Sequence, residues 1–329
     1  MTPLFDPRPW GRFDLSPIYS RHFDEKIGES WLTGDNCKVQ NGTLAGHSLA
    51  QLSTQFQREL VGEAPQHGDR FPLLMKFLFP QEKLSVQVHP DDEAARAIGE
   101  PCGKTECWYV AHADPGAEIG LGLKRGVTRA DFERSIRENR AEELLNWIKV
   151  AVGDMIFVAG GTVHTLGPGS IIVETQQQSD TTFRLYDYGR PRELHLEQGL
   201  RMIKERVPSG KINPQPPSAL DQNGNRLQSL VTSEYFSVQK FELSAKHEFG
   251  GLPGKSSAQI LVATEGTATL SAAGCGSAQF AKGDAIVIPA TIRDFAIVPS
   301  TPLQFLRSYV PGVAVGQPET SLHEPHSAT

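Results

Sequence analysis

The chain has 329 residues, which is long enough for one large domain or two moderate ones, and two domains are the better starting hypothesis. Hydrophobic residues at 39% and charged residues at 21% are ordinary for a soluble globular protein, and no apolar run approaches the roughly 20 residues of a membrane span. The net charge of -6 comes without a clustered basic stretch, which argues against a broad nucleic-acid surface.

The first 13 residues contain two arginines but no apolar core of the kind found in a secretory signal, so we expect a cytoplasmic protein. The four cysteines show no CxxC pair that would suggest a metal site. Reduced, mostly structural thiols are therefore expected rather than disulfides.

The first half of the chain reads as short strands, in which apolar residues alternate or run briefly and Gly, Pro, Asp or Asn marks nearly every end. This pattern is typical of an antiparallel β-structure rather than of βαβ units. The predicted strands span residues 72–79, 84–89, 106–112, 154–160 and 170–177.

Helices are predicted at 47–60 and 194–207, packed outside the sheets. A helical insertion begins after Thr128, which can cap a helix with Asp131 as its capping-box partner, and a second short helix is predicted at 141–149. The GLGLKRG segment before this insertion lacks the Gly-Lys-Ser/Thr ending of a P-loop. We interpret it as a loop and expect no nucleotide cofactor.

Residues 207–226 are rich in Pro, Gly, Asn and Ser and indicate a linker, after which strand-like segments resume. These later strands are predicted at 235–243, 258–270, 284–290 and 302–310. The predicted domains are 1–212, with a helical insertion at about 126–149, then 213–314, followed by a polar tail at 315–329.

A weak internal repeat relates the two halves, because GDMIFVAGGTVH at 153–164 resembles GDAIVIPATIRD at 283–294. The first copy is similar to the second cupin motif, which closes with a His, here His164. In the second copy Arg293 and Asp294 occupy that place. The expected fold is therefore mainly β, with two cupin-type jelly-roll barrels, of which only the first holds a metal.

The segment SVQVHP at 85–90 carries the sharpest chemical signal. In a strand Ser85, Gln87 and His89 point to one face, and Lys104 and Glu106 share a face by the same rule. Each residue alone is weak evidence, since a His at a strand end is more often structural, but their spacing together with His164 favours a site. One carboxylate, two imidazoles and one carboxamide suit zinc with open positions for water or substrate.

The sequence resembles the type I mannose-6-phosphate isomerases in their shorter bacterial form. Several separate motifs occur in the order of that family and cover most of residues 7–206. They are IGESW at 27–31, PLLMKFLFPQEKLSVQVHPDD at 72–92, GKTECWYV at 103–110, GDMIFVAGGTVHTLGPG at 153–169 and ETQQQSDTTFRLYDYGR at 174–190.

This resemblance implies a Zn²⁺-dependent aldose-ketose isomerase that interconverts mannose 6-phosphate and fructose 6-phosphate through an enediol. Leu166 stands where longer members have Tyr. The implied metal ligands are Gln87, His89, Glu106 and His164, and the implied substrate-pocket residues are Trp10, Ser85, Lys104, Glu174, Asp180 and Arg184.

In such a reaction, the positive charge of zinc and of Lys104 or Arg184 would stabilise the developing oxyanion. Glu174 is the first candidate for the proton-transfer base and Lys104 is the second. Arg184 could instead clasp the phosphate, or simply form a salt bridge. Trp10 could stack on the sugar or plug the barrel.

We expect the chain to act as a monomer or homodimer on a small sugar phosphate, with neither nucleic acid nor a membrane as partner. Two alternatives stay open. One is another cupin enzyme, such as a dioxygenase, although the Gln ligand disfavours it. The other is a sugar-phosphate-binding cupin regulator without turnover.

Overall fold

The computed structural model describes residues 1–63, 70–252 and 257–312, and these form a mainly β protein built from four sheets. The first half of the chain contains a seven-stranded and a five-stranded sheet. The second half contains a six-stranded and a four-stranded sheet. The mainly β prediction is confirmed, but the two closed barrels are not, because the strands order into open sheets.

The sheets of the first half are antiparallel throughout. The seven-stranded sheet contains, in spatial order, β1 (Leu4–Asp14), β2 (His22–Trp31), β3 (Leu73–Leu78), β10 (Ser170–Gln177), β5 (Glu106–Ala113), β8 (Met155–Val158) and β12 (Gly210–Ile212). The five-stranded sheet contains β11 (Phe183–Tyr186), β4 (Val86–Val88), β9 (His164–Leu166), β6 (Glu118–Leu123) and β7 (Leu145–Lys149).

The second half repeats this plan with fewer strands. Its six-stranded sheet contains β13 (Ser218–Ala219), β14 (Arg226–Thr232), β15 (Ser237–Leu243), β22 (Leu303–Tyr309), β17 (Gln259–Glu265) and β20 (Ala285–Ile288). Its four-stranded sheet contains β16 (His247–Phe249), β21 (Phe295–Pro299), β18 (Thr267–Ala272) and β19 (Gly276–Ala281).

Short helices lie between the strands, and no described helix is long and apolar enough to cross a bilayer. They are α1 (Leu49–Phe56), α2 (Arg58–Val61), α3 (Asp92–Ala97), α4 (Arg129–Arg137) and α5 (Leu196–Met202). The predicted capping box of α4 is confirmed, because the Thr128 hydroxyl accepts from the Asp131 N–H while the Asp131 carboxylate accepts from the Thr128 N–H.

Two predictions of secondary structure are wrong, and a third has the wrong length. The helix predicted at 141–149 is a single 3₁₀ turn (Ala141–Leu144) followed by strand β7, which pairs with β6. The GLGLKRG segment begins inside strand β6 rather than in a loop. In both cases pairing with a neighbouring strand decides the structure against local propensity. The helix predicted at 194–207 is present as α5 but is only seven residues long.

Other differences are smaller. The helix predicted at 47–60 is present as α1 and α2, broken at Gln57 with φ of 41°. Strands β12 and β13 lie in the predicted linker, and the strand predicted at 258–270 is split between β17 and β18. The strands β1 and β2 were not predicted. The predicted tail falls in residues 313–329, outside the described residues.

The core has separate layers, because alternate residues of each strand point to opposite faces. On β5, Cys107 and Tyr109 pack into a cluster shared with Val238, Ile260 and other residues of the second half. Trp108 and Val110 point the other way, into the interior between the two sheets of the first half. The halves are therefore joined through the faces of their larger sheets, and all four cysteines are free.

Gly283 allows a close contact with Tyr19 where the two halves of the chain meet. The Tyr19 hydroxyl donates a hydrogen bond to the Gly283 carbonyl at 2.9 Å. Gly283 has φ of +88°, and a Cβ added there would lie 2.6 Å from Tyr19 Cε1. Only glycine fits both the backbone conformation and the contact.

Gly283→Ala is therefore expected to lower the free energy of unfolding by more than about 1–3 kcal/mol, the usual strain of a non-glycine residue in this region of φ. Urea unfolding of the full chain measures it. Gly274→Ala is the matched control, because Gly274 has φ of +75° but open space around its added Cβ. Equal losses in the two variants would contradict a role for the Tyr19 contact.

Candidate active site

A cavity of about 470 Å³ lies between the two sheets of the first half. Its size is typical of small-molecule sites. Seven residues that the sequence predicted for the site line it together, namely Trp10, Ser85, Gln87, Lys104, Glu174, Asp180 and Arg184.

At one side of this cavity, His89, Glu106 and His164 form a buried group whose ligand atoms all lie within 4.8 Å of one another. His89 Nε2 lies 3.6 Å from Glu106 Oε2, and His164 Nε2 lies 3.4 Å from Glu106 Oε1. His89 and His164 are 75 positions apart in the chain. The two facing sheets bring the group together, since Glu106 is on β5 of the seven-stranded sheet and His164 is on β9 of the five-stranded sheet.

The backbone fixes the orientation of both imidazole rings. His89 Nδ1 lies 3.0 Å from the Thr181 carbonyl, and His164 Nδ1 lies 2.9 Å from the Thr162 carbonyl. A carbonyl accepts only from N–H, so each Nδ1 carries the proton and each Nε2 presents a lone pair to Glu106. This is the tautomer required of a metal-ligating histidine.

The charges of this group also fit a cation. Neither oxygen of the fully buried Glu106 carboxylate accepts a hydrogen bond from a described residue. Burial raises the pKa of Glu106, lowers the pKa of His89 well below its ordinary value and lowers the pKa of His164 to about 4. Two neutral imidazoles therefore surround a carboxylate that accepts no hydrogen bond from the described residues and whose charged form a bound cation would stabilise.

Lys104 supplies positive charge beside this group. Its Nζ lies 3.2 Å from His89 Nε2 and 3.6 Å from Glu106 Oε2, and its side chain is buried. A cation bound by the histidines and Glu106 would share that carboxylate with Lys104. The arrangement therefore places the Lys104 ammonium beside His89 and Glu106 at the wall of the cavity.

Gln87 reaches the same group from strand β4. It lies opposite His164 in the β4–β9 ladder, and its Nε2 is 3.3 Å from His164 Nε2. The Ser85 hydroxyl donates to Gln87 Oε1 at 3.3 Å. Ser85, which directly precedes β4, and Gln87 therefore lie on one face, with Gln87 beside His164.

Glu174 lies in the middle of β10 and is buried in the same cavity. Trp108 Nε1 donates to its Oε1 at 3.1 Å. Burial, followed by repulsion from Glu106, raises the pKa of Glu174 to about 7. A carboxyl group that titrates near neutral pH in a cleft is typical of general acid/base catalysis.

Sequence reasoning missed Lys76, which lies opposite Glu174 in the β3–β10 ladder and lines the cavity. Its buried ammonium is 3.2 Å from Glu29 Oε2 and 3.0 Å from Asp180 Oδ1, and it lies 4.1 Å from the centroid of the Trp31 ring. A signal was available, because a lysine in the apolar run PLLMKFLF must be paired if the strand is buried.

Glu29 anchors this ion network. Arg8 Nε donates to Glu29 Oε1 at 3.0 Å, and Trp31 Nε1 donates to Oε2 at 2.8 Å. Burial alone would raise the pKa of Glu29, but Lys76 and Arg8 outweigh it and lower the pKa from 4.5 to about 2.

Glu29→Gln is expected to lower the free energy of unfolding by a few kcal/mol at neutral pH, because Lys76 is left buried without this carboxylate. The Glu29 contribution is fully present above about pH 4.5 and is lost as the pH falls toward about 2. Denaturant unfolding from pH 7 to pH 3 should show the wild-type advantage shrinking.

Glu82→Gln serves as the control, since the Lys26–Glu82 pair is exposed and contributes at most about 1 kcal/mol. A wild-type advantage over Glu29→Gln that stays constant down to pH 3 would contradict this account of Glu29.

Arg184 extends to the cavity from β11. Its Nη1 donates to the Glu193 carbonyl at 2.7 Å. Among the described residues it forms no ion pair within 4.0 Å, with Asp180 and Asp187 bound instead to Lys76 and to Arg190 and Arg192. The salt-bridge alternative for Arg184 is therefore wrong, since Asp187 acts on its charge only from beyond 4.0 Å.

Trp10 is 3% exposed and belongs to the apolar cluster between the sheets while also lining the cavity. Gly28 makes room for it, since a Cβ there would lie 2.8 Å from Trp10 Cη2. The indole therefore closes one side of the cavity, a position compatible with either predicted role.

Family models match two parts of the chain. Residues 16–104 match the phosphomannose isomerase type I catalytic domain, and residues 226–310 match the mannose-6-phosphate isomerase cupin domain.

Individual relatives extend these matches over most of the chain. Mannose-6-phosphate isomerase ManA of Bacillus subtilis is 35% identical over 312 residues, covering 90% of this chain and 94% of its own. Mannose-6-phosphate isomerase of Streptococcus mutans is 36% identical over 287 residues, covering 82% and 85%. The crystal structure of the mannose 6-phosphate isomerase from Bacillus subtilis superposes with a TM-score of 0.82 at 32% identity, covering 93% and 98%.

Proposed function

The chain belongs to the type I mannose-6-phosphate isomerase family and is an aldose-ketose isomerase, and from that premise we propose that it interconverts mannose 6-phosphate and fructose 6-phosphate with the help of one Zn²⁺. The observation that carries the metal proposal is the buried Glu106 carboxylate, which has no hydrogen-bond partner among the described residues and faces two imidazole lone pairs.

His89, Glu106 and His164 would hold the ion, with Gln87 as the fourth ligand. Exchange of the Gln87 amide oxygen and nitrogen by a half-turn of the carboxamide would present the oxygen to the ion and the NH₂ group to Ser85. The resulting set of two nitrogens and two oxygens is one that zinc accepts in catalytic sites. When bound, zinc would act as a Lewis acid for the sugar oxygens that become negative in the enediol.

Lys104 and Arg184 would add fixed positive charge at the same oxygens. Both line the cavity, and preorganised charge of this kind is commonly the largest catalytic contribution. Because the Arg184 guanidinium has no carboxylate partner among the described residues, its planar fork is also free to bind the substrate phosphate in bidentate fashion.

Proton transfer between C2 and C1 requires a base beside these atoms. Glu174 is favoured over Lys104, because it is buried, lies in the cavity, and has a pKa raised to about 7 by burial. Lys104 is instead held among His89 and Glu106. Ser85, Trp10 and Asp180 would bind and enclose the sugar.

The proposal also covers the domain organisation, the location and the oligomeric state of the enzyme. Residues 1–212 would form the catalytic domain, with the insertion at about 126–149, and residues 213–314 a cupin-like domain without a metal, followed by a tail at 315–329. The enzyme would be cytoplasmic and act as a monomer or homodimer.

Incubation of the purified protein with fructose 6-phosphate, with and without a chelator, tests this function. We expect mannose 6-phosphate to form, turnover to stop with the chelator, and zinc to restore it. Binding of fructose 6-phosphate without any turnover would instead support the second candidate, a sugar-phosphate-binding cupin regulator. Turnover that no chelator affects would remove the metal from the proposal.

A further inference from the structure

The central strands of the two halves correspond one to one. In the first half the order is β3, β10, β5, β8, and in the second it is β15, β22, β17, β20, with every pair antiparallel. The internal repeat fixes the register, since it aligns Met155 with Ala285 and Val158 with Ile288. Any residue of the catalytic sheet can therefore be assigned a counterpart in the second half.

The counterpart of the metal-site carboxylate is a carboxamide. Glu106 lies opposite Val158 in the β5–β8 ladder, and Gln259 lies opposite Ile288 in the β17–β20 ladder. Gln259 therefore occupies the position of Glu106. The substitution removes the negative charge that a metal ion would need there.

The counterpart of Glu174 is an arginine. Glu174 on β10 lies opposite Trp108, and Arg307 on β22 lies opposite Leu261, which follows Gln259 by two residues as Trp108 follows its carboxylate. A buried cation thus occupies the position of the buried acid.

A third pair of counterparts, Lys76 and Gln239, also differs in charge. Lys76 lies opposite Glu174, and Gln239 lies opposite Arg307. Two carboxylates and one ammonium group in the first half have become one guanidinium and two neutral carboxamides in the second. The sign of the local charge is reversed, and a site with this charge is suited to an anion.

Arg307 is 9% exposed and carries its charge without a carboxylate partner. Its Nε and Nη2 donate to Gln239 Oε1 at 3.0 and 2.6 Å, and its Nη1 donates to Gln259 Oε1 at 3.4 Å. Its guanidinium also lies 4.8 Å from the centroid of the Phe241 ring. Among the described residues no Asp or Glu oxygen lies within 4.0 Å of it, an arrangement that is costly for a buried charge and that a bound anion would relieve.

A cavity of about 410 Å³ adjoins this cluster. Gln259, which accepts the hydrogen bond from Arg307, lines it together with Ser257 and the exposed Arg293. Asp294, the counterpart of His164 in the repeat, is the carboxylate in the wall. Arg307 lies behind Gln259 rather than in the wall. Among the described residues, Arg293 and Arg307 together outweigh the single negative charge of Asp294, and the volume accommodates a molecule of the size of a sugar phosphate.

We propose that this cavity is a second ligand site, which binds a phosphate monoester through Arg293 and the Gln259 amide, with the charge of Arg307 directly behind Gln259. The Arg293 guanidinium matches the geometry of a phosphate, and the buried Arg307 charge adds an attraction that water screens poorly. The site is separate from the isomerase site and does not depend on its metal.

Calorimetric titration of the full chain with inorganic phosphate, and separately with fructose 6-phosphate and with fructose, tests the proposal. A chain that carries Arg184→Met to weaken the catalytic site should still bind phosphate. Adding Arg307→Met is expected to weaken that remaining binding at least about tenfold. Arg226→Met, on the exposed edge of β14, is the matched control and should change nothing.

The probes distinguish the source of the phosphate. The binding that Arg307→Met removes from the Arg184→Met chain belongs to the second site. If that binding is tighter for fructose 6-phosphate than for inorganic phosphate, the site takes a sugar phosphate, and equal binding would assign it to the free anion. Fructose alone should not bind. Unchanged phosphate binding in the Arg307→Met chain would overturn the proposal.

Thermal unfolding separates a ligand-binding role from a structural one. Without phosphate, the chain with Arg184→Met and Arg307→Met is expected to unfold at the temperature of the Arg184→Met chain or above. Phosphate should raise the unfolding temperature of the Arg184→Met chain but not that of the chain with both substitutions. If the variant with Arg307→Met fails to fold, Arg293→Gln tests the site instead. Arg293 is exposed, so its replacement should leave the fold intact and still weaken phosphate binding about tenfold. Wild-type affinity in Arg293→Gln would then reject the site.

Discussion

Glu106→Gln is expected to abolish metal binding and to lower kcat/KM by about 10³-fold or more, since the Lewis-acid contribution of a metal is worth several kcal/mol and each 1.36 kcal/mol is a factor of ten. The change keeps the shape of the side chain but removes the only carboxylate in the group of His89, Glu106 and His164. Metal content after dialysis and steady-state kinetics with mannose 6-phosphate measure the two effects.

The stability of the variant separates loss of metal from loss of fold. In the metal-free wild type, Glu106 is a buried carboxylate without a hydrogen bond from the described residues, and burial raises its pKa. Neutral Gln at this position removes that charge but leaves the buried ammonium of Lys104, 3.6 Å away, without its carboxylate. Metal-free Glu106→Gln should therefore unfold at or below the temperature of the metal-free wild type, and a retained cooperative transition would show that the variant has lost its metal and not its fold.

Lys104→Met is the matched variant, because Lys104 contacts the same carboxylate from the other side. Removing an ammonium group from beside a divalent ion relieves like-charge repulsion, so this variant should bind zinc at least as tightly as the wild type while losing turnover. Weaker zinc binding in Lys104→Met, or full activity in metal-depleted Glu106→Gln, would contradict the assignment of these residues.

The grouping of Gln87, His89, Glu106 and His164 was predictable because two local rules of the sequence point to it. Alternation along SVQVH puts Gln87 and His89 on the polar face of a strand, and the repeat identifies His164 at the end of its motif. What the sequence could not supply was the pairing of strands. Gln87 meets His164 only because β4 and β9 are neighbours, which is a long-range fact.

Strands β1 and β2 were not predicted, and the composition of β1 explains why. The segment LFDPRPWGRFD of β1 contains two prolines and several charges, so its pattern is not that of a strand, yet it pairs with β2 through three register shifts. Prolines are tolerated there because β1 lies at the edge of the sheet. Without β1 and β2 the partners of Lys76, which are Glu29 and through it Arg8, could not be foreseen.

At residues 141–149 the opposite happened, because the local sequence predicted a helix where the structure has mainly a strand. The letters AEELLNWIK favour a helix by propensity, but Leu145 packs tightly against Gly120 of β6, where an added Cβ would lie 3.0 Å from Leu145 Cδ1. Tertiary contact across a glycine thus overrides local preference.

Glu174→Gln is expected to lower kcat by about 10²–10⁴-fold with little change in KM, because the variant loses proton transfer but keeps the size and the hydrogen-bonding capacity of the side chain. Glu174→Asp should recover part of the rate, since it restores a carboxylate at a greater distance. Steady-state kinetics of the zinc-loaded proteins measure both.

The pH dependence identifies the base. Burial and repulsion from Glu106 raise the pKa of Glu174 to about 7, and a base works only in its deprotonated form, so kcat/KM should fall as the pH drops through that pKa. A cation that offsets the charge of Glu106 lowers the pKa of Glu174, which moves this acid limb below pH 7 in the zinc-loaded enzyme. The limb should vanish in Glu174→Gln. If instead it persists there with nearly full kcat, while Lys104→Met is inactive, Lys104 is the base.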